Sequence, residues 1–230
     1  MTANRRRLVP ERFPAWWVVA GGCAVTAVLG LVNVVASGTT VVDRRAQTAL
    51  FAQRNTVLRA TTQRLTVAGA APVVIGAGVV IALLVWLRAR DRVVAAWYAA
   101  AAPLALAAEV AVKNVVRRGP PAEKVQYAEP VNSWFADLFQ PGKYSFPSGH
   151  ATLSAALATV LALLAWQRLE GWQRVAALSA CAAFAILIAV SRVVLGVHFL
   201  SDVVAGLALG TAIGVAGSRS ADRLRGYRSP

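Results

Sequence analysis

The sequence predicts an all-α fold of the polytopic membrane class, with six transmembrane helices. Hydrophobic residues make up 57% of the 230 residues and charged residues only 15%, which is far from the composition of a water-soluble domain. The mean hydropathy is +0.57. Apolar runs of about 20 residues, the length that crosses a bilayer core as a helix, recur along the whole chain.

Six such runs can be counted. They cover residues 15–37, 65–87, 93–116, 149–166, 175–191 and 193–218. We expect them to form one membrane domain over residues 15–218, preceded by a basic segment (1–14) and followed by a basic tail (219–230). The first run is long enough to span, and its Arg-rich start indicates an anchor rather than a cleaved signal peptide.

Arginines predict the orientation of the helices. With six spans, four Arg-rich segments fall on one side of the bilayer, and the positive-inside rule makes that side cytoplasmic. Both termini are then cytoplasmic in a plasma-membrane protein, and the loops at 117–147 and 191–198 lie outside. These segments also account for the net charge of +14, so no nucleic-acid partner is expected.

Two longer connectors have their own patterns. Residues 38–64 are basic with recurring apolar pairs, which indicates either an amphipathic helix on the outer membrane face or an ordinary polar connector. In the second connector, Trp134, Phe135, Leu138 and Phe139 recur at helical spacing. We expect an interfacial helix there, acting either as a passive anchor or as a gate to a site.

The chain has two histidines, and the first directly precedes an apolar run. His150 follows Ser148 and Gly149, so Ser148 is expected to cap a helix and Gly149 to let a ligand approach the backbone. Exposed amides at such a helix start, together with the helix dipole, form an anion site. An ordinary turn and cap is the alternative interpretation.

The second histidine has a carboxylate four residues later. His198 and Asp202 would lie one helical turn apart, so that Asp202 holds one ring nitrogen and leaves the other facing a site. A buried pair that serves helix packing is the alternative. Both interpretations are compatible with a packing stripe of small residues that continues the same face at Gly206, Gly210 and Gly214.

Two motifs resemble the second and third motifs of the type 2 phosphatidic acid phosphatase family. They are Pro-Ser-Gly-His at residues 147–150 and Ser-Arg-x5-His-x3-Asp at residues 191–202. The likeness extends from about Leu31 to the last apolar run. It implies six membrane helices, both motifs at the outer ends of helices 3 to 6, and removal of phosphate from lipid phosphates or diphosphates without a metal or other cofactor.

The resemblance also implies residue roles. His198 would attack phosphorus and form a phosphohistidine, Asp202 would orient it, and His150 would protonate the leaving oxygen and then activate water. Phosphoryl oxygens would be bound by Lys113, Ser148, the Gly149 amide and Arg192. Fixed cations and donors around these oxygens are also what phosphoryl transfer without a metal requires.

The chain departs from the family's first motif, which is Lys, six residues, Arg, Pro. Counted from Lys113, the arginine position holds Pro120, and arginines stand earlier at Arg117 and Arg118. We expect Arg118 to replace the missing phosphate ligand; the alternative is that both arginines bind lipid headgroups. Glu109, one turn before Lys113, is expected to neutralise that lysine at membrane depth.

The sequence therefore predicts a membrane phosphatase whose partners are the bilayer and a lipid phosphate. An excess of arginine over lysine and abundant alanine favour a bacterial isoprenoid phosphate or diphosphate as substrate, by association only. Two alternatives are a phosphotransferase with the same fold and a non-catalytic lipid-phosphate binder or transporter. The second alternative needs cations but no aligned acid, nucleophile and carboxylate.

Overall fold

The computed structural model describes residues 9–10, 15–35, 40–50, 56–122 and 144–226. Over these residues the chain forms eight α-helices and no strand, which confirms the all-α prediction. In chain order they are α1 (Ala15–Val35), α2 (Val41–Leu50), α3 (Thr56–Val67), α4 (Ala71–Ala89), α5 (Arg92–Val116), α6 (Gly149–Arg168), α7 (Gly171–Val194) and α8 (Leu200–Leu224).

Six of these helices are long and apolar enough to cross a membrane. They are α1 and α4 to α8, with lengths of 19 to 25 residues, which confirms a multi-pass membrane protein. The second span begins at Ala71 and not at Leu65, because the chain turns at residues 68–70 before Pro72 starts the helix. The last span begins at Leu200, since α7 continues to Val194 and Gly196 then adopts a positive φ of 67°.

Helices α6 and α8 form the centre of the bundle, and small residues set their separation. A Cβ at Gly206 would lie 2.7 Å from the Ser148 carbonyl oxygen of α6, and one at Gly214 would lie 2.7 Å from Thr159 Cβ. The backbone of α8 therefore touches α6 directly. The predicted packing stripe is confirmed, and it holds the start of α8 against the start of α6.

The two ends of the bundle differ in their polar contacts. At one end, Arg225 Nε binds Asp91 Oδ2 at 2.8 Å, and the Val9 amide donates to Asp222 Oδ2 at 2.9 Å. At the other end, α5 and α7 finish while α6 and α8 begin. We call this second end the site end, because it holds all the candidate site residues.

The connector predicted at residues 38–64 folds against the site end. It forms α2 and α3, which pack on α7, and α2 also contacts α8. The polar residues Asp43 of α2 and Thr66 of α3 are buried, whereas Val42 and Val57 are exposed, as are Arg44, Arg45 and Arg64. The two helices therefore direct polar side chains into the bundle and expose both valines and arginines. The interfacial helix predicted at residues 134–139 lies outside the described residues.

Candidate active site

The predicted site residues come together at the site end, at the termini of four helices. Lys113 and Arg118 end α5, Ser148 to His150 begin α6, Arg192 lies in the last turn of α7, and His198 and Asp202 flank the start of α8. Their side chains are buried, which requires that the charges be paired or hydrogen-bonded. The site is therefore best described by its contacts.

His198 is held by a carboxylate from the first turn of α8. Its Nδ1 atom lies 3.5 Å from Asp202 Oδ2, and the same oxygen accepts the Phe199 amide at 2.9 Å. His198 itself lies before the helix and not inside it, so the pair is not one turn of a continuous helix as predicted. Asp202 reaches back across the helix start, which leaves Nε2 as the ring nitrogen turned away from the carboxylate.

The surroundings of His198 favour its neutral form. Burial lowers its pKa, and the nearby charges of Lys113 and Arg192 add to this, while Asp202 opposes them. The resulting pKa is about 4, against an ordinary value of 6.5. At neutral pH the ring therefore carries an unprotonated nitrogen, the form in which imidazole acts as a nucleophile.

Ser148 occupies the N-cap position of α6, yet its hydroxyl makes no cap hydrogen bond. Its amide donates to the Asp202 carbonyl oxygen at 3.0 Å, and its own carbonyl accepts the Thr152 amide at 2.9 Å. The buried Ser148 Oγ has no partner among the described residues. The backbone of Ser148 thus joins α6 to α8, and its hydroxyl is available to a ligand.

Gly149 lies against a carboxylate. A Cβ at this position would lie 3.0 Å from Glu109 Oε1, so the absence of a side chain admits Glu109 into the site end. Glu109 in turn pairs with Lys113 at 3.2 Å, as predicted, and Lys113 Nζ donates to the Tyr144 carbonyl at 2.6 Å. Lys113 is therefore ion-paired with one side chain and fixed between two oxygen acceptors.

The α3–α4 segment forms one wall of the site. Arg192 Nη1 donates to Thr66 Oγ1 at 2.8 Å, and Thr66 is fully buried in the last turn of α3. A Cβ at Gly69 would lie 3.2 Å from Cδ2 of His150. The last turn of α3 thus binds the arginine, and the turn that follows covers one histidine. The sequence pattern indicated neither role.

Arg118 turns inward to bind two carboxylates. Its Nη1 atom lies 2.5 Å from Asp202 Oδ1, and its Nη2 atom lies 2.8 Å from Asp43 Oδ2. The guanidinium also lies 4.0 Å from the Phe199 ring centroid. The neighbouring Arg117 is exposed. The phosphate contact expected of Arg118 stays a prediction, and it would require the guanidinium to release one of these carboxylates.

Asp43 is the site-end residue that the sequence interpretation missed. Its Oδ1 accepts the Ser201 amide and its Oδ2 accepts the Ser201 hydroxyl, both at 2.8 Å. Burial alone would raise its pKa, but the bonds from Ser201 and Arg118 outweigh burial and keep the pKa below its ordinary value. Asp43 is the only acid in the basic stretch 38–64, which was the one available signal. Its partners Arg118 and Ser201 are 75 and 158 residues away, beyond any local pattern.

Metal-binding side chains are scattered in the described part of the chain. No three His, Cys, Asp or Glu side chains come together there as metal ligands would. The two cysteines, Cys23 and Cys181, are unpaired and lie away from the site end, in α1 and α7. The polar chemistry of the site thus rests on two histidines, two arginines, a lysine and their carboxylate partners.

Comparison with known proteins places this arrangement in a family. The model of the PAP2 superfamily matches residues 94–225, which is more than half of the chain and includes every predicted site residue. A solved structure, described as the first transmembrane PAP2 type phosphatidylglycerolphosphate phosphatase from Bacillus subtilis, superposes with a TM-score of 0.75. It is 20% identical and covers 92% of this chain and 100% of its own, so the two share a fold.

Two curated proteins are similar in sequence. Phosphatidylglycerophosphatase B of Bacillus subtilis is 36% identical over 87 residues, which is 37% of this chain and 43% of that protein. Decaprenylphosphoryl-5-phosphoribose phosphatase of Mycolicibacterium smegmatis is 37% identical over 107 residues, 46% of this chain and 49% of that protein. The aligned stretches thus span less than half the length of each relative.

Proposed function

Because the chain belongs to the PAP2 superfamily, we propose that it is an integral-membrane phosphatase that removes phosphate from a lipid phosphate or diphosphate. The observation that carries the proposal is the pairing of His198 with Asp202 beside a free Ser148 hydroxyl and the start of α6. A binding protein needs the cations and donors of this site. It does not need a neutral imidazole backed by a carboxylate.

In the proposed reaction, His198 Nε2 donates its electron pair to phosphorus, and the bond from phosphorus to the leaving oxygen breaks. That oxygen belongs to the lipid alcohol in a monophosphate and to the inner phosphate in a diphosphate. His150 gives a proton to that leaving oxygen. A water molecule then loses a proton to His150 and attacks phosphorus, and the bond from phosphorus to nitrogen returns its electrons to His198. Asp202 supports the ring while it carries positive charge.

The phosphoryl oxygens would be held by groups from three helices. We assign this role to Arg192 from α7, to Lys113 from α5, and to the Ser148 hydroxyl and Gly149 amide at the start of α6. Amides and the dipole at a helix N-terminus favour an anion, and an arginine adds a planar pair of donors. In the transition state negative charge spreads over three phosphoryl oxygens, and these donors and cations would stabilise it from several sides.

The substrate class follows from the position of the site at the end of a membrane bundle. A phosphate there is at headgroup depth, so the substrate would be a lipid whose chain remains in the bilayer. The names of the two curated relatives, a phosphatidylglycerophosphatase and a decaprenylphosphoryl-5-phosphoribose phosphatase, support both glycerol and isoprenoid lipids as candidates. From the arginine distribution we propose that the site faces the outer side of the plasma membrane and that both termini are cytoplasmic.

The test is phosphate release by the purified protein in detergent. The panel would contain an isoprenoid phosphate, an isoprenoid diphosphate, phosphatidic acid and phosphatidylglycerol phosphate, each measured with and without an added lipid or sugar alcohol. We expect release that does not depend on the alcohol. Phosphate appearing only on the alcohol would establish a phosphotransferase, and binding without turnover of any lipid would overturn the proposal.

A further inference from the structure

We propose that Asp43, on a short helix outside the six spans, is a positioning residue for phosphoryl transfer. It balances the charge of Arg118, so that Asp43, Arg118 and Asp202 together keep the net negative charge that a cationic His198 requires. The inference rests on the proposed phosphohistidine mechanism. It adds a role for α2, which neither the motifs nor the family match at residues 94–225 includes.

The contacts form a continuous chain from α2 to the nucleophile. Asp43 Oδ2 binds Arg118 Nη2 at 2.8 Å, and Arg118 Nη1 binds Asp202 Oδ1 at 2.5 Å. The other oxygen of Asp202 faces His198 Nδ1 at 3.5 Å. Both oxygens of Asp202 are thus engaged, Oδ1 by the guanidinium and Oδ2 by the Phe199 amide beside the ring.

Asp43 is itself held rigidly. Its amide donates to Thr40 Oγ1 at 3.1 Å, and its two carboxylate oxygens accept the amide and hydroxyl of Ser201 at 2.8 Å. The side chain of Asp43 is 1% exposed and that of Arg118 is 2% exposed. A buried ion pair with this many satisfied bonds resists rotation, because any movement leaves a charge unpaired.

The sum of the buried charges explains why a second carboxylate, Asp43, is needed beside Asp202. Asp202 and Arg118 together are neutral, so alone they would offer a forming phosphoimidazolium no net attraction. With Asp43 the three groups sum to one negative charge. Because all three are buried, this charge is weakly screened and acts on the ring of His198 as it becomes positive.

The proposal and the phosphate contact expected of Arg118 make opposite predictions for a double variant. If Arg118 serves the carboxylates, replacing Asp43 and Arg118 together by neutral amides leaves Asp202 with its negative charge and with the Phe199 amide that holds it. If Arg118 instead binds the phosphoryl group, the same double variant loses a substrate contact. Turnover therefore distinguishes the two roles.

The experiment compares Asp43→Asn, the double variant Asp43→Asn/Arg118→Gln, and two controls, Ser201→Ala and Asp222→Asn. Ser201→Ala removes the hydroxyl, which donates to Asp43 Oδ2 at 2.8 Å and accepts from Arg118 Nη1 at 2.7 Å, without changing the charge. Asp222→Asn removes a buried carboxylate at the opposite end of the bundle. Each is assayed for kcat and KM on a lipid phosphate and for the thermal midpoint in detergent.

We expect Asp43→Asn to lower kcat by about 10- to 100-fold, the range found when outer-shell partners of metal-bound histidines are lost, with KM changed by less than about twofold. The double variant should recover most of that loss. Both controls should keep kcat within about threefold of the wild type, since neither changes the charge beside Asp202.

Three outcomes would overturn the inference: normal kcat in Asp43→Asn, a double variant that is slower than Asp43→Asn, or a loss in Ser201→Ala as large as that in Asp43→Asn. If Asp43→Asn does not fold, the double variant tests the inference alone, because it removes one positive and one negative charge together. A kcat within about tenfold of the wild type then supports the inference, and a lower kcat rejects it. His198→Ala in the same set tests the proposed function separately, since turnover surviving there would reject the phosphohistidine whatever Asp43 does.

Discussion

His198 Nδ1 faces Asp202 Oδ2 at a distance of 3.5 Å. This contact decides which ring nitrogen is left for chemistry, because the carboxylate attracts the protonated nitrogen and Nε2 then keeps its electron pair. The same carboxylate also accepts a hydrogen bond from the amide of Phe199, the N-cap residue of α8. The start of α8 and the orientation of the proposed nucleophile therefore depend on the same side chain.

Replacement of His198 by alanine should abolish turnover, because in the proposed reaction this ring accepts the phosphoryl group. Acid and alkaline quenching after labelled substrate is added should trap the intermediate in the wild type only. A phosphohistidine survives alkali and is lost in acid. A label with the reverse stability, or turnover in the alanine variant, would show that another group receives the phosphoryl group.

The loss of rate on replacing His150 by alanine should depend on the leaving group of the substrate. With a lipid alcohol, loss of the general acid should slow phosphoenzyme formation by about 100-fold or more. With p-nitrophenyl phosphate the loss should be much smaller, because p-nitrophenolate leaves without a proton. The initial burst of p-nitrophenolate measures this step apart from the later hydrolysis. Equal losses with both substrates would contradict the assignment of His150 as acid.

The pKa of His198 predicts how stability changes with pH. The folded protein holds this pKa at about 4, whereas the unfolded chain has the ordinary value of 6.5. Acidification through this interval protonates the unfolded chain but not the folded one, so the stability present above pH 6.5 is progressively lost towards pH 4. The thermal midpoint should therefore fall more steeply between pH 7 and pH 5 in the wild type than in His198→Gln. Parallel curves would mean that the burial of His198 does not perturb its protonation.

Activity should persist in excess EDTA. In the proposed site, positive charge for the phosphoryl group comes from Arg192 and Lys113, and donors come from the start of α6. Phosphate release is measured after dialysis against the chelator, with and without added Mg²⁺. A strict requirement for the added ion would contradict the assignment of these side chains as the charge-neutralising groups.

The features that could be predicted from the sequence are those set by local pattern. Apolar runs identified six spans, because a helix must hide its backbone from lipid over a fixed length. The pairing of Glu109 with Lys113 followed from a spacing of four on one helix. The glycine stripe followed in the same way from its period along α8.

The features that were missed depend on long-range contacts or on helix ends. Nothing near Asp43 in the sequence indicates that it binds Arg118, because α2 reaches the site end by packing on α7 and α8. His198 and Asp202 were expected on one helical turn, but the positive φ at Gly196 separates α7 from α8 and leaves His198 before the helix. Helix termini were the least predictable part, and the candidate active site consists of helix termini.

The contact between α6 and α8 provides a test of the packing that positions the site. A Cβ at Gly210 would lie 2.9 Å from Ala155 Cβ and would also collide with the Thr152 carbonyl oxygen, which is backbone and cannot move aside. Gly210→Ala should therefore destabilise the protein by about 1–3 kcal/mol through overpacking, and turnover should fall with the displacement of His198 from His150. Gly76→Ala in α4 is the matched control, because a Cβ there meets nothing within 4 Å and alanine favours a helix. Thermal midpoints and phosphate release of the two variants would be compared in the same detergent. Equal midpoints would show that α8 can shift along α6 without cost, and the glycine stripe would then not be what fixes the two histidines relative to each other.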